Sequence, residues 1–246
     1  MKQTDLNCDM GEGMDTDAGI MPWISSANIA CGFHAGNLDT MKATVALALQ
    51  HQVAVGAHPG FKDKANFGRT EQQLSENALF DLVTEQVYLL QEVCREAGCP
   101  LHHVKPHGAL YNMAANDIVM SAVIARAVQS VNEKLVLYGL SGSFLITEAA
   151  KLGLRTASEV FADRVYETNG SLRNRKYPDA LIIHEKDCLQ QVLQMILEGT
   201  VKCIDGNKIH LQADTICLHG DGINATAFAK IIHLTLKEHF IDIQAI

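Results

Sequence analysis

Polar and apolar residues alternate strictly along the first segment of the chain, residues 4–10. Asp5, Asn7 and Asp9 share one parity, and apolar residues hold the other. Successive side chains of a strand point to opposite faces, so this segment predicts a strand with three polar groups on one face. Because residues 11–13 read Gly-Glu-Gly and the later strand-like runs are almost wholly apolar, we interpret the polar face as part of a barrel mouth.

Several short apolar runs further along the chain also predict strands. They cover residues 27–31, 53–56, 103–107, 135–138, 154–161 and 215–218. Four of these runs lead directly to a histidine beside glycine, namely His34, His58, His107 and His219. A buried strand that ends in this way places an imidazole at its carboxyl end, so we expect the four rings to meet.

Apolar residues recur with helical spacing between the strands, as at Met41, Val45 and Ala48. The predicted helices cover residues 38–50, 74–97, 115–130, 142–152, 185–197 and 224–239. Alternating strands and helices indicate a parallel sheet whose site lies at the carboxyl ends of the strands. Seven strands in a chain of 246 residues predict an α/β fold with one domain, 1–246, built as a distorted or incomplete (β/α) barrel.

Two segments show neither the helical nor the strand spacing of apolar residues. Residues 59–69 are polar, and we interpret them as a lid; residues 165–179, rich in Arg, Asn and Gly, read as a long excursion able to cover a site. Residues 201–211 predict a hairpin that turns at Asp205-Gly206, because Asp-Gly favours such turns.

Composition narrows the class of protein. No apolar run reaches the ~18 residues that a membrane span requires, and the first seven residues lack the apolar core of a secretory signal, which predicts a cytoplasmic protein. A net charge of -8 without a basic stripe argues against a nucleic-acid partner. Seven cysteines without Cys-x-x-Cys spacing indicate reduced core thiols.

Strand parity and strand ends together select the candidate catalytic residues. They are Asp9, His34, His58, Lys105, His107, Asp163 and His219. So many ionisable groups are costly to bury unless they are paired or used in catalysis. A single histidine at a strand end is more often a structural residue, but four in equivalent places favour a site.

Two chemical interpretations fit these residues. Aspartate and histidine from different strands can bind a divalent metal that activates water, although no His-x-x-x-His pair supports this. Alternatively, they act as general acid and base around a small charged substrate, with Lys105 or Arg164 holding its carboxylate and Asn7 donating a hydrogen bond. We favour the second interpretation. No phosphate-loop or dinucleotide-binding motif is present.

The chain also resembles the lactam-utilisation family. The segments that carry the resemblance are Asp5–Glu12, Ser26–Gly36, Gly56–Pro59, Asn66–Arg69, Val104–Asn112, Glu159–Arg164 and Cys217–Asp221. They occur in the expected order over nearly the whole chain. They add Glu12, Asn28, Arg69 and Asp221 to Asn7 and Arg164 as candidate substrate-binding residues.

This resemblance implies a barrel related to that of polysaccharide deacetylases. It also implies cleavage of 5-oxoproline to glutamate, coupled to ATP hydrolysis, in a complex with two further subunits that are candidates for binding ATP. Two residues depart from the family pattern: Asn37 replaces a usual acidic residue, and Asp179 stands where glycine is common. The alternatives are a stand-alone metal-dependent amide or N-acetyl hydrolase and a non-catalytic interaction subunit.

Overall fold

The computed structural model describes residues 2–219 and 225–246. Its strands are β1 (Lys2–Met10), β2 (Ser26–Ala30), β3 (Ala54–His58), β4 (His103–Val104), β5 (Val136–Leu140), β6 (Arg155–Phe161), β7 (Thr200–Lys202), β8 (Lys208–His210), β9 (Thr215–Leu218) and β10 (Ile241–Ile243). Its helices are α1 (Asp17–Ile20), α2 (Leu38–Gln50), α3 (Glu76–Ala97), α4 (Gly108–Asn116), α5 (Ile118–Val131), α6 (Phe144–Lys151), α7 (Glu185–Leu193) and α8 (Ala225–Glu238).

Seven parallel strands close into a barrel in the order β1-β2-β3-β4-β5-β6-β9, and β9 returns to pair with β1. The prediction of an α/β barrel of about seven parallel strands is confirmed, and the ring is closed. An eighth parallel strand, β10, pairs with the first residues of β1 outside the ring. Strand β10 was not predicted, because its three residues are too few to show an alternation of polar and apolar positions. It begins directly after Phe240, whose backbone is left-handed (φ 57°).

The two parities of the strands divide the interior from the surrounding shell. Leu6, Cys8 and Met10 belong to the apolar core shared with the helices, where α3 packs against α5 and α5 against α6. Asp5 has the opposite parity, and its carboxylate accepts hydrogen bonds from hydroxyl groups of Ser25, Ser26 and Thr215 at 2.6–2.8 Å. Burial raises the pKa of Asp5, while these bonds partly offset the increase. The barrel interior is therefore polar, as the alternation predicts.

Gly56 is required by the packing of this interior. The ring of His103 occupies the space that a Cβ atom at position 56 would need. The same ring stacks on Tyr138 with centroids 4.3 Å apart, and its Nε2 donates to Asn28 Oδ1 at 2.9 Å. A side chain at position 56 would displace a buried ring that has defined partners.

Asn37 caps α2. Its side chain accepts a hydrogen bond from the Thr40 backbone N–H at 3.0 Å, and Thr40 Oγ1 accepts one from the Asn37 backbone N–H at 2.7 Å. This reciprocal capping box satisfies two donors at the start of the helix.

Three predicted elements differ from the structure. The helix predicted over 115–130 is two helices, α4 and α5, which are separated by Asp117; this residue caps α5 by accepting from Val119 N and Met120 N. The ladder of β4 is two residues long because Pro106 lacks an N–H. The end of the helix predicted over 185–197 is a π-helical turn, Gln194–Glu198.

Two further predictions agree with the structure. β7 and β8 form the predicted antiparallel hairpin, and all seven cysteines are free thiols. Within the ranges that the structure describes, no helix is both long and apolar enough to cross a membrane.

Candidate active site

Asp9 lies near the carboxyl end of β1, above a layer of buried amides. Its Oδ1 atom accepts hydrogen bonds from Asn28 Nδ2 and from Lys105 Nζ, both at 2.9 Å. The Asn28 amide also donates to Asn7 Oδ1 at 2.7 Å. For Asn7 and Asn28, which the sequence predicts as substrate-binding residues, the structure shows full burial and protein partners. In this position the Asn28 amide helps to hold the Asp9 carboxylate in place.

Lys105 is a buried cation at the centre of the barrel. Its Nζ lies 2.9 Å from carboxylate oxygens of both Asp9 and Glu159 and 3.0 Å from Cys217 Sγ. Burial lowers the pKa of Lys105, but the surrounding carboxylates outweigh burial and hold this pKa well above its usual value. Lys105 is therefore a fixed positive charge.

His58 and His107 face each other across the mouth of the barrel. The Nδ1 atom of His58 donates to the Lys105 carbonyl at 2.7 Å, and the Nε2 atom of His107 donates to the Phe67 carbonyl at 2.9 Å. A carbonyl only accepts, so each of these nitrogens carries the proton of its ring. The two remaining nitrogens, His58 Nε2 and His107 Nδ1, lie 2.8 Å apart. Two lone pairs repel at that distance, so this space is suited to take up a proton or a cation.

Carboxylates and a third imidazole surround that space. Asp9 Oδ2 lies 3.2 Å from His58 Nε2, and Glu12 Oε1 lies 3.4 Å from His107 Nδ1 and 3.3 Å from His34 Nε2. His34 stacks on His107 with centroids 3.8 Å apart. Burial, followed by the charge of His58, lowers the pKa of His34 to about 3. His34 is consequently neutral near pH 7 and offers a lone pair.

The donor set of this cluster fits a divalent cation. Ligand atoms of Glu12, His34, His58 and His107 all lie within 4.8 Å of one another. Imidazole and carboxylate together suit zinc, manganese and similar ions. The carbonyls that accept from His58 and His107 are the outer contacts that orient histidine ligands in metal sites.

A second ionisable pair stands on the other wall. His219 Nδ1 lies 2.9 Å from both oxygens of Asp163, and the ring of His219 stacks on Phe161 with centroids 5.7 Å apart. Burial raises the pKa of Asp163, but His219, Arg175 and Arg164 together outweigh this effect and lower that pKa below its usual value. Asp163 is therefore ionised, and it orients the His219 ring through Nδ1.

One cavity of about 530 Å³ joins these groups. The predicted site residues that line it are Asp9, Glu12, His58, Arg69, Lys105, His107, Arg164 and His219. Asp163 and His34 contact lining residues, and Asp221 lies outside the described residues. The excursion after β6 supplies one wall through Ser171, Leu172, Asn174 and Arg175, while the segment after β3 supplies Phe67 and Arg69.

Several residues that shape the site were not among the predicted site residues. Glu159 has the same strand parity as Asp163, so parity could have identified Glu159 as a residue that faces the barrel interior. Tyr111 lines the cavity from the part of α4 that precedes the predicted start of the helix at residue 115. The Phe67 carbonyl that fixes His107 is a backbone group at a left-handed residue, φ 56°, and side-chain patterns carry no signal for it.

Comparisons with known proteins agree with this architecture. A lactam utilization protein from Thermus thermophilus superposes with a TM-score of 0.93 at 39% identity, over 99% of this chain and 100% of that one. The catalytic domain of a peptidoglycan N-acetylglucosamine deacetylase from Eubacterium rectale superposes with a TM-score of 0.55 at 10% identity, over 100% of this chain and 88% of that one. The second likeness concerns the fold alone and confirms the predicted relation to deacetylase barrels.

Sequence comparison identifies the family. The chain is 50% identical over 250 residues to the A subunit of 5-oxoprolinase from Tolumonas auensis, and the match covers all of both chains. The model of the LamB/YcsF family matches residues 4–246. The family predicted from the motifs is thereby confirmed, and the chain belongs to the LamB/YcsF family.

Proposed function

We propose that this chain is a subunit of an ATP-dependent 5-oxoprolinase, in which it opens 5-oxo-L-proline to L-glutamate. Relatives named as the A subunit of 5-oxoprolinase, 50% identical over the whole chain, support the reaction. The pair of facing nitrogens on His58 and His107, 2.8 Å apart inside the cavity, is the structural observation that supports a catalytic role for this chain.

Opening a lactam requires a base that takes a proton from water and an acid that gives one to the ring nitrogen. The His58–His107 pair is suited to act as the base, because both rings present lone pairs towards one point. A proton taken there lies between the two rings, and the Asp9 carboxylate, 3.2 Å from His58 Nε2, balances its charge. Lys105 and the Asn28 amide keep Asp9 in place.

His219 suits the acid. Asp163 contacts Nδ1 and orients the ring, and His219 lines the cavity. Ligand atoms of Asp9, Cys217 and His219 lie within 4.8 Å of one another, so the two walls face a common space. Arg69 and Lys105 add positive charge around the cavity, which stabilises the negative charge of the phosphorylated lactam oxygen during attack by water.

A divalent cation is the second candidate for the space between the imidazoles. Glu12, His34, His58 and His107 would hold it, and it would supply a polarised carbonyl and a more acidic water. This arrangement favours, as a second function, an amide hydrolase that works alone. Such an enzyme loses activity to a chelator and needs no ATP.

We assign the binding of ATP to two further subunits of the complex. The sequence has no phosphate-loop motif, and the relatives carry the name of one component of a larger enzyme. An amide is unreactive, so the lactam oxygen first takes the terminal phosphoryl group of ATP and ADP is released. Water then attacks the activated carbon, and the C–N bond breaks as the ring nitrogen takes a proton. Hydrolysis of the resulting acyl phosphate by a second water gives glutamate and phosphate. Because this reaction draws on ATP, we also assign it to the cytoplasm.

Substitution in the assembled enzyme tests the role of this chain. Asp9→Asn and His219→Gln are expected to lower glutamate formation about 10²–10⁴-fold while the variants still assemble with the partner subunits. His239→Gln, at an exposed ring just after α8, is the matched control and keeps full turnover. If both site variants retain full turnover, the chain serves only for interaction with its partners, and its cavity takes no part in the chemistry.

A further inference from the structure

Arg164 is a buried guanidinium with an unused donor. It lies shortly after β6, is 5% exposed and lines the cavity. Its Nη2 donates to the Arg173 carbonyl at 2.7 Å, which ties the side chain to the excursion after β6. Its Nε is buried and has no hydrogen-bond partner. A buried donor of a charged group without a partner is costly, so this one indicates a missing acceptor.

The charges around Arg164 favour an anion as that acceptor. Arg175 lines the same cavity, and burial, followed by the charge of Arg175, lowers the pKa of Arg164 to about 10. Asp163 partly offsets this effect. Both oxygens of Asp163, however, are within 2.9 Å of His219 Nδ1. The carboxylate of Asp163 is therefore already engaged by the His219 side chain.

We infer that Arg164, assisted by Arg175, forms an oxyanion subsite that holds the carboxylate of the substrate. An arginine binds a carboxylate through strong, directional, charge-assisted hydrogen bonds. The subsite would place the ring of a cyclic amide between the His58–His107 pair and His219, which line the same cavity. It selects lactams that carry an acid over neutral lactams.

This inference rests on the proposed function for the identity of the substrate, but its test separates the two. Calorimetric titrations of the full chain would use 5-oxo-L-proline, the neutral lactam 2-pyrrolidinone, and inorganic phosphate. The expected result is that 5-oxo-L-proline binds at least about tenfold more tightly than 2-pyrrolidinone, as expected for a charge-assisted contact. Equal affinities for the two lactams in the native chain overturn the subsite without any substitution.

Variants test whether Arg164 and Arg175 are responsible for the difference in affinity. Arg164→Gln is expected to weaken the binding of 5-oxo-L-proline about 10–100-fold and to leave the binding of 2-pyrrolidinone unchanged. Because Arg164 is buried, Arg175→Gln provides a second variant at a half-buried position, with a smaller loss in the same direction. Lys176→Gln removes a neighbouring exposed charge that does not line the cavity, and it keeps native affinity.

The outcomes distinguish the subsite from the reaction. Native binding of 5-oxo-L-proline that neither arginine variant changes overturns the subsite and leaves the proposed function intact. Binding of phosphate that depends on Arg164, without binding of 5-oxo-L-proline, supports an oxyanion subsite and contradicts the proposed substrate. A native chain that binds neither anion overturns the subsite.

Discussion

His58 Nε2 and His107 Nδ1 lie 2.8 Å apart, and the other nitrogen of each ring donates to a backbone carbonyl. The two rings therefore face a common point that suits one proton or one cation. Asp9 Oδ2 lies 3.2 Å from His58 Nε2, and Glu12 Oε1 lies 3.4 Å from His107 Nδ1. These two carboxylates favour a positive charge between the rings.

If the two rings act as one unit, their substitutions are not additive. We predict that His58→Gln and His107→Gln each lower glutamate formation in the assembled enzyme about 10²–10⁴-fold, and that the double variant loses no more than the worse single variant. Turnover measured for the four proteins gives the coupling directly. Losses that multiply in the double variant would mean that the rings act separately.

Lys105 is predicted to be essential for stability. Lys105→Met leaves the carboxylates of Asp9 and Glu159 buried without their cation, so the free energy of unfolding should fall by about 3–5 kcal/mol. Urea denaturation measures the change. Adding Glu159→Gln should recover part of the loss, because one of the two unpaired charges is then absent. A Lys105→Met variant that is as stable as the native chain would contradict the buried ion-pair network.

The barrel and the convergence of the site could be predicted from the sequence, because both depend on local pattern. Alternation in β1 placed Asp5, Asn7 and Asp9 inside, and strand ends selected His58, His107 and His219. Partners contributed by distant segments could not be predicted. The carbonyl that accepts from His107 belongs to Phe67, and the Asn28 amide donates to both Asn7 and Asp9, which depends on the register of two strands.

The cap at Asn37 explains how this chain tolerates the loss of an acidic residue. Asn37→Ala should lower the free energy of unfolding by about 1 kcal/mol, because the Thr40 N–H loses its acceptor. Asn37→Asp keeps an acceptor and should retain native stability and native turnover, since position 37 does not line the cavity. Thermal unfolding and glutamate formation measure the two effects. A marked gain in turnover for Asn37→Asp would show that the carboxylate acts in the reaction.

His103 is predicted to make stability depend on pH. Burial, then neighbouring positive groups, holds its pKa well below the usual 6.5. As pH falls below 6.5, the unfolded chain binds a proton that the folded chain refuses, so stability falls, by at most about 1.4 kcal/mol per pH unit. His103→Asn should flatten this slope between about pH 6.5 and pH 5, whereas His239→Asn, at an exposed ring, should retain it. Urea titrations at several pH values provide the slopes, and parallel slopes for His103→Asn and the native chain would refute the assignment.

Gly56 is predicted to accept no side chain. Gly56→Ala places a methyl group where the His103 ring lies, so the ring must leave its stacked position on Tyr138. Overpacking of this kind costs about 1–3 kcal/mol, or more where the neighbour is rigid. The variant Gly206→Ala, in the open turn of the hairpin, is a control for the change of residue type without a clash, although its backbone has φ 88°. A Gly56→Ala chain that unfolds at the native denaturant concentration would contradict the packing.

The most direct test of the account is glutamate formation from 5-oxo-L-proline by the purified chain, with and without its partner subunits, each with and without ATP. We predict turnover only when the partners and ATP are both present, and loss of turnover when Asp9→Asn replaces the native chain. Turnover by the chain alone without ATP, abolished by a chelator, would contradict it in favour of the metal-dependent hydrolase. Absence of turnover in every combination would contradict the proposed substrate.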